Sequence, residues 1–188
     1  MNAKIDISSV ILHTERLLLR PWRTEDLADL YAYARVDGVG QMAGWQPHES
    51  LEQSRKILDN FIEQRKTFAL EFGGRVIGSL GIEEYNEAQL PELSALLGRE
   101  IGYVLSRDFW GRGLMPEAVR AVVRYLFETE GLDFILVGHF EHNRRSAPVI
   151  EKCGFRYLKA LPYDTQLGTT ESARNYIMYR TEPAPSCR

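Results

Sequence analysis

The segment Trp-Gly-Arg-Gly-Leu-Met-Pro at residues 110–116 has the residue types of an anion-binding turn. Gly111 and Gly113 leave the backbone bare and permit angles that other residues avoid. Pro116 and Glu117 suit the first turn of a helix, where proline lacks only an unpaired N–H and a carboxylate complements the helix dipole. Because a helix start with accessible amides binds anions, we first expect a phosphate-bearing ligand here.

Two common phosphate-binding loops do not match this turn. A nucleotide P-loop needs a lysine and a hydroxyl residue directly after its last glycine, and the chain has neither there. A dinucleotide-binding loop needs Gly or Ala where this chain has Pro116, and its strand enters the turn directly, whereas residues 107–109 intervene here. The third option is the pyrophosphate loop of an acyl-coenzyme A transferase.

Apolar spacing and turn residues predict the elements that position this segment. Helices are predicted over about 24–34, 51–65, 116–130 and 146–153. Strands are predicted over 15–20, 67–72, 75–85, 99–106, 133–140, 155–159 and 175–180. We expect a loose arm at 1–13, a frayed tail at 182–188, and a single α/β (α+β) domain over 1–188 with a mixed sheet of about 6–7 strands.

Composition excludes several classes of protein. The chain has 188 residues and a net charge of −3, so an extended nucleic-acid surface is not expected. No stretch approaches the roughly 18 to 20 apolar residues that span a bilayer, and no signal peptide is evident. Cys153 and Cys187 are too few for a disulfide framework, which favours a cytoplasmic protein. His139 and His142 lack a third nearby ligand, so we expect no metal.

Three blocks of sequence flank or include the glycine turn. They are Thr-Glu-Arg-Leu-x-Leu-Arg at 14–20, Glu-Ile-Gly-Tyr-Val-Leu at 100–105 with Trp-Gly-Arg-Gly at 110–113 and Glu-Ala at 117–118, and Asn-x-x-Ser at 143–146 with Glu-Lys-Cys-Gly-Phe at 151–155. Together they resemble the RimJ/RimL-like branch of the GNAT N-acetyltransferases. The resemblance implies a mostly antiparallel GNAT sheet splayed at the cofactor strand, helices on both faces, and acetyl transfer from acetyl-CoA to an amine.

The resemblance also implies the cofactor-binding residues. They are Tyr103, Val104, Leu105, Trp110, Gly111, Arg112, Gly113, Leu114, Met115, Pro116, Asn143 and Ser146. The chain departs from the family pattern at three positions: Trp110 replaces glutamine or arginine, Met115 replaces a small residue in the loop, and Ile150 stands where some relatives carry a tyrosine acid. The bulk of Met115 is expected to tighten the loop.

Glu100 and Ser146 are the predicted catalytic residues. Glu100 is the carboxylate nearest the cofactor strand and could act as general base, directly or through water. Ser146 could donate a proton near the sulfur, although a helix N-cap is the role we rank first for it. Glu83 and Glu84 are rival bases, and alternation along a strand lets only one of them face the cleft.

The acceptor site is predicted at Trp45, Glu83 and Tyr85, where the family places its acceptor cleft. Lacking an obvious histidine–carboxylate base pair, the site favours an amine of low pKa, so a protein or peptide N-terminal α-amine is the expected acceptor. A small-molecule acetyltransferase acting on an antibiotic, a polyamine or an amino acid remains an alternative, as does a non-catalytic CoA-binding module. No nucleic-acid or membrane partner is expected, and a homodimer is possible.

Overall fold

Eight strands form one sheet in the computed structural model, which describes residues 1–180. In chain order they are β1 (Leu12–His13), β2 (Leu18–Pro21), β3 (Thr67–Phe72), β4 (Arg75–Glu83), β5 (Gly98–Leu105), β6 (Phe134–Phe140), β7 (Arg156–Asp164) and β8 (Thr170–Tyr179). Their spatial order is β1-β2-β3-β4-β5-β6-β8-β7. The predicted tail at 182–188 lies outside the described residues.

Four helices cover the sheet, and each was predicted within a few residues. They are α1 (Leu27–Ala34), α2 (Leu51–Gln64), α3 (Leu114–Glu128) and α4 (Ser146–Lys152). Single 3-10 turns occur at Thr24–Asp26, Gln41–Ala43, Glu87–Gln89, Pro91–Leu93 and Arg107–Phe109. Ser50 caps α2, because its hydroxyl accepts a hydrogen bond from the Gln53 N–H at 3.2 Å. The mixed, mostly antiparallel sheet with helices on both faces agrees with the prediction.

The N-terminal segment differs from the loose arm predicted at 1–13. Asn2 forms a β-bridge to Gly98, and the side chains of Ala3 and Ile7 are buried. Strand β1, which was not predicted, also lies in this segment. It is the reason why the sheet has eight strands and not the predicted six to seven. These contacts are between residues far apart in the chain, so local polarity at Asp6, Ser8 and Ser9 concealed them.

The two faces of the sheet bury different cores. The larger core lies under α3 and α4, where Val119, Val122 and Leu126 meet the inward side chains of the central strands. On the opposite face, Trp22 and Leu58 are buried with the side chains of α1 and α2. The middle of this second face is left open as a cleft.

The central strands β5 and β6 are the one parallel pair in the sheet that residues 1–180 form, and they soon part. Their pairing ends at Ile101 and Val137. Beyond that point β5 continues to Leu105 beside β4 alone, and β6 continues to Phe140 beside β8 alone. The sheet is therefore splayed in its middle, as predicted, and the backbone of β5 loses its β6 partner.

A buried charge network fastens β2 to the helical layer. The guanidinium of Arg20 donates to both carboxylate oxygens of Asp26 at 2.8 Å and to Glu71 at 2.7 Å. The side chain of Arg20 is only 5% exposed, so these partners replace its lost hydration. The same hydrogen bonds raise the pKa of Arg20 above its ordinary value.

Replacing Arg20 by methionine should strongly destabilise the fold, because it leaves the Asp26 carboxylate buried without its cation. We expect Arg20→Met to lower the free energy of unfolding by about 3–5 kcal/mol in a urea titration. Arg75, whose side chain is 71% exposed at 3.7 Å from Asp29, is the matched control. Arg75→Met should cost less than about 1 kcal/mol, and equal losses for the two variants would contradict a stabilising role of the buried network.

Candidate acetyl-transfer site

The glycine turn leads into α3 with its amides accessible. Gly113 is the N-cap residue with φ of 76°, and Gly111 has the same φ. A side chain at Gly111 would meet no atom within 4 Å, so this side of the turn is open. The helix begins at Leu114, earlier than predicted, which places Pro116 third in the helix rather than first. Its missing N–H still falls among those that no helix can pair.

Met115 does not obstruct the turn. Its side chain is 5% exposed and is buried in the core beneath α3, together with Leu114 and Ala118. The bulk that departs from the family pattern is therefore directed into the protein, and it does not tighten the loop as the sequence suggested.

An N-terminal brace, formed by Thr14, Arg16 and Glu117, holds the turn in place. The Thr14 hydroxyl and the Arg16 guanidinium donate to the Glu117 carboxylate at 2.6 and 2.8 Å. Arg16 also donates to the carbonyl of Arg112, inside the turn, at 2.9 Å. Burial opposes ionisation of Glu117, but the hydrogen bonds outweigh it and its pKa is lowered. Residues of the first sequence block, at 14–20, thus hold the glycine turn of the second block in place.

A first cleft of about 420 Å³ opens between the parted end of β5 and the helices α3 and α4. It is lined by all the predicted cofactor-binding residues except Arg112, whose guanidinium lies over the Phe109 ring at 5.0 Å. The Trp110 indole N–H donates to the Leu105 carbonyl at 2.8 Å, and the Arg145 guanidinium lies 4.6 Å from the centre of the Trp110 ring.

The backbone of β5 presents hydrogen-bonding groups to this cleft. The Ser106 N–H donates to Ile77 on β4 at 2.7 Å. Because successive backbone groups in a strand point in opposite directions, the N–H groups of Tyr103 and Leu105 point away from β4, toward the gap that β6 has left. Buried backbone groups need partners, so an extended ligand with amide groups, ending in phosphates at the α3 start, fits the cleft. Acetyl-CoA has that composition.

Two hydroxyls meet where the cleft reaches α4. The Tyr103 hydroxyl and the Ser146 Oγ are 2.7 Å apart, and burial is the main cause that raises the pKa of the Tyr103 phenol. The prediction that Ser146 caps α4 is wrong: the N-cap residue is Arg145, and the Ser146 hydroxyl makes no capping bond. The Asn143 side chain instead accepts from the Ser146 N–H at 3.3 Å and donates to the Met42 carbonyl at 3.1 Å.

A second cleft of about 990 Å³ occupies the open middle of the other sheet face. Six residues line both clefts: Met42, Ala43, Tyr103, Val104, Asn143 and Ser146. The clefts therefore adjoin at the point where β5 and β6 part. A group held in one can reach a group held in the other.

Glu100 and Glu83 face each other on adjacent strands in the second cleft. Burial, and secondly the Glu83 carboxylate, raise the pKa of Glu100 to about 7. Lys66 lies 2.5 Å from Glu83 and supplies a counter-charge on that side only. Glu84, the other rival base, also lines the second cleft, so the expected alternation with Glu83 is wrong because β4 ends at Glu83. The Glu84 side chain is 71% exposed and pairs with Arg99 at 3.5 Å.

The remaining predicted acceptor residues have different surroundings. Trp45 is half-buried, lines the second cleft and packs against His48 in a tilted arrangement with 5.2 Å between ring centres. Tyr85 borders the cleft but is only 3% exposed, because its ring packs against Phe134. The Tyr85 hydroxyl accepts from the Met1 amino group at 2.8 Å. Its surroundings are those of a core residue.

Sequence reasoning did not identify Gly138 and Asn175, which lie opposite each other on β6 and β8 and line the second cleft. Neither belongs to a recognisable motif. The one signal for Asn175 is a polar residue at an inward position of the predicted strand 175–180.

Residues 1–180 form neither a metal-binding cluster nor a membrane-spanning helix. No three His, Cys, Asp or Glu side chains among them come close enough to hold a metal ion. None of the helices they form has the length and hydropathy needed to cross a bilayer.

Comparison with known proteins identifies related sequences and structures. The model of the family described as "Acetyltransferase (GNAT) domain" matches residues 16–156. The N-acetyltransferase YoaA of Bacillus subtilis is 28% identical over 84% of this chain and 94% of its own length. The [ribosomal protein uS5]-alanine N-acetyltransferase of Escherichia coli is 26% identical over 80% of each chain. A GNAT-family acetyltransferase structure from Bacillus anthracis superimposes with a TM-score of 0.78 at 20% identity, covering 90% of this chain and 98% of that one.

Loss of the brace should weaken binding at the turn, because Arg16 holds the Arg112 carbonyl and the Glu117 carboxylate together. We expect Arg16→Ala to raise the Kd of acetyl-CoA about 3- to 10-fold in isothermal titration calorimetry. Arg124, exposed further along α3, supplies the control Arg124→Ala, which should leave the Kd unchanged. An unaltered Kd in Arg16→Ala would show that the turn keeps its geometry without the brace.

Proposed function

Because the chain belongs to the GNAT acetyltransferase family and is an acetyl-CoA-dependent N-acetyltransferase, we propose that its acceptor is the α-amine of a protein or peptide N-terminus. The amine attacks directly in a ternary complex, with acetyl-CoA in the first cleft and the acceptor in the second. The name of the Escherichia coli relative, an alanine N-acetyltransferase of a ribosomal protein, supports an acceptor of this kind.

The observation that carries this proposal is the raised pKa of Glu100, about 7, at the edge of the second cleft. An α-amine has a pKa near ~7.8, so moving its proton to Glu100 is uphill by only about 1 kcal/mol. A lysine side chain, near ~10.4, would require about 4–5 kcal/mol for the same transfer. Glu100 is therefore matched to an α-amine and poorly matched to lysine.

The walls of the second cleft favour a peptide over a free amino acid. Four carboxylic acids line it: Glu83, Glu84, Glu100 and Asp164. No lysine or arginine is among its described lining residues, so a carboxylate beside the reacting amine would have no counter-charge. A peptide N-terminus has a neutral amide in that position.

The residues of the site divide the reaction between them. Bound acetyl-CoA supplies a thioester as the acetyl donor. Glu100 accepts the amine proton, and the N–H of Leu105 polarises the carbonyl that the neutral amine attacks. Ser146 donates a hydrogen bond to the departing sulfur, supported by the phenol of Tyr103, which its raised pKa keeps protonated.

A polycationic small molecule is a second candidate acceptor, and the acidic lining of the second cleft favours it. The four carboxylates, of which Glu83 and Glu84 are already paired with Lys66 and Arg99, would attract an aminoglycoside or a polyamine as well as a peptide. The cleft also has room for such a molecule.

We also propose that residues 1–188 act as one catalytic domain, because both clefts open on the same sheet. A cytoplasmic setting fits the free thiol of Cys153, which is half-buried beside α3. Catalysis rather than CoA binding alone is expected, since Glu100 and Ser146 adjoin the cleft junction.

A panel of acceptors at pH 7.5 tests the proposed function. Thiol release from acetyl-CoA should be fastest with peptide N-termini and at least tenfold slower with N-terminally blocked peptides that carry lysine, by the pKa argument. Free amino acids should be poor acceptors. A clear preference for lysine would refute the α-amine proposal, and a preference for polyamines or aminoglycosides would establish the second candidate. Binding of acetyl-CoA without thiol release across the panel would indicate a non-catalytic module.

Removing the base should change both rate and pH dependence. We expect Glu100→Gln to lower kcat/KM about 10²- to 10⁴-fold at pH 7 and to move the rise of kcat/KM from the pKa of Glu100, about 7, to the pKa of the acceptor amine itself, near ~7.8. Ser146→Ala is the comparison variant, which should lower kcat while keeping the rise near pH 7. If Glu100→Gln keeps the rise near pH 7, another group or water is the base.

The same substitution has a stability consequence of known sign. A raised carboxyl pKa means that the folded protein holds this proton more tightly than the unfolded chain, so ionised Glu100 opposes folding. Glu100→Gln should therefore be more stable than the wild type above about pH 7, with the advantage disappearing as the pH falls to the ordinary value of 4.5. Thermal unfolding across this range measures it.

A further inference from the structure

Two side-chain oxygens converge on the floor of the second cleft at Gly138. A methyl group added to Gly138 would lie 3.2 Å from Oδ1 of Asn175 and 3.5 Å from Oε1 of Glu100. The glycine therefore leaves open a space that both oxygens border. A ligand nitrogen cannot occupy that methyl position, which lies at bonding distance from the Gly138 Cα, but a small donor group seated just above it has both side-chain oxygens beside it. Hydrogen bonds from nitrogen to oxygen are 2.7–3.2 Å long.

Asn175 is fixed so that its oxygen, an acceptor, faces this space. The residue is 7% exposed, and its Nδ2 donates to the Ala173 carbonyl at 3.1 Å. That bond distinguishes Nδ2 from Oδ1 in the Asn175 amide, and it directs Oδ1 toward Gly138. No described residue donates a hydrogen bond to Oδ1, so this oxygen remains available to a ligand.

Glu100 is the second open acceptor. Its carboxylate receives no hydrogen bond from the described residues, although burial has removed much of its water. Lys66, the nearby cation, is paired with Glu83 on the neighbouring strand. Both oxygens border the open cleft without a donor among the described residues, and one donor group of a ligand could serve both.

We infer that the ammonium group of the acceptor binds over Gly138, between Oε1 of Glu100 and Oδ1 of Asn175. The inference rests on the proposed function and names the subsite that selects the acceptor. A primary ammonium has three N–H donors, of which two point to these oxygens. Glu100 then takes one proton, and the amine turns about its hydrogen bond to Asn175 so that the freed lone pair faces the thioester carbon. The further proton that nitrogen loses as the amide forms passes to the departing sulfur, which leaves as a thiol. A quaternary ammonium offers no such donor and is excluded.

Asn175 is thus a binding residue for the amine, and Gly138 is the position that makes room for it. Asn175→Leu removes the oxygen while keeping the number and branching of the side-chain heavy atoms, and Gly138→Ala fills the space without removing either oxygen. Asn60 also lines the second cleft, but it lies on α2 and its Oδ1 accepts from Gln64 at 2.8 Å. Asn60→Leu is therefore the matched control.

Two pairs of probes isolate the ammonium contact from other binding. One pair is an alanyl tripeptide amide and its analogue with hydrogen in place of the amine. The other is butylammonium and 1-butanol. Binding is followed at pH 7.5 by calorimetry and by the shift of the Gly102 amide resonance, with acetyl-CoA affinity and thermal unfolding as checks on the fold of each variant.

The wild type should bind the cation of at least one pair about tenfold or more tightly than its neutral partner. Asn175→Leu and Gly138→Ala should each reduce that preference about tenfold while the Kd of acetyl-CoA stays unchanged, and Asn60→Leu should retain it. The absence of a preference in the wild type for both pairs would overturn the inference, as would its persistence in Asn175→Leu and Gly138→Ala.

The two pairs also separate this inference from the proposed function. If butylammonium is selected and the peptide amine is not, the subsite stands and the peptide acceptor is refuted. If peptides are acetylated but both variants keep the wild-type preference, the proposed function stands and the subsite is refuted. Should Asn175→Leu fail to fold, Gly138→Ala and the wild-type comparison still decide.

Discussion

The parting of β5 from β6 after Ile101 is the constraint on which the rest of the structure depends. Parallel pairing stops there, and each strand continues with a single neighbour, so one side of the β5 backbone has no strand to bond. Buried backbone groups require partners. The first cleft brings α3 and the glycine turn to one side of this gap, and the second cleft brings Glu100 to the other. The two clefts therefore meet in the plane of the sheet.

The chain uses two opposite electrostatic solutions within one sheet. Arg20 is buried with two carboxylates that satisfy its donors, and this arrangement supports the fold. Glu100 is half-buried opposite a like charge and receives no described donor, so its ionised form is unfavourable until a cation arrives. The compensated charge of Arg20 lies on β2, near the edge of the sheet, and the uncompensated charge of Glu100 lies on β5, at its centre. That separation lets the site be unfavourable in itself without endangering the scaffold.

Local patterns sufficed for much of this architecture, and the failures have a common cause. Periodicity located α2, α3 and the hairpin β3–β4, because those signals lie within one segment. The N-terminal arm was misjudged since its contacts, such as Asn2 with Gly98, join distant segments. Ser146 looked like a cap because serine suits that position, whereas its hydroxyl partner Tyr103 lies on another element. The place of Asn175 depends on cross-strand register, which no single segment encodes.

The brace formed by Thr14, Arg16 and Glu117 makes the glycine turn and the start of the sheet one cooperative unit. Arg16 cannot leave the turn without releasing both the Arg112 carbonyl and the Glu117 carboxylate. Local opening of residues 14–16 and loss of the ordered turn are therefore the same event. By linkage, a ligand held at the turn protects the amides of β1 and β2 from hydrogen exchange. Ligand binding in the first cleft would then slow hydrogen exchange of backbone amides at the far edge of the sheet.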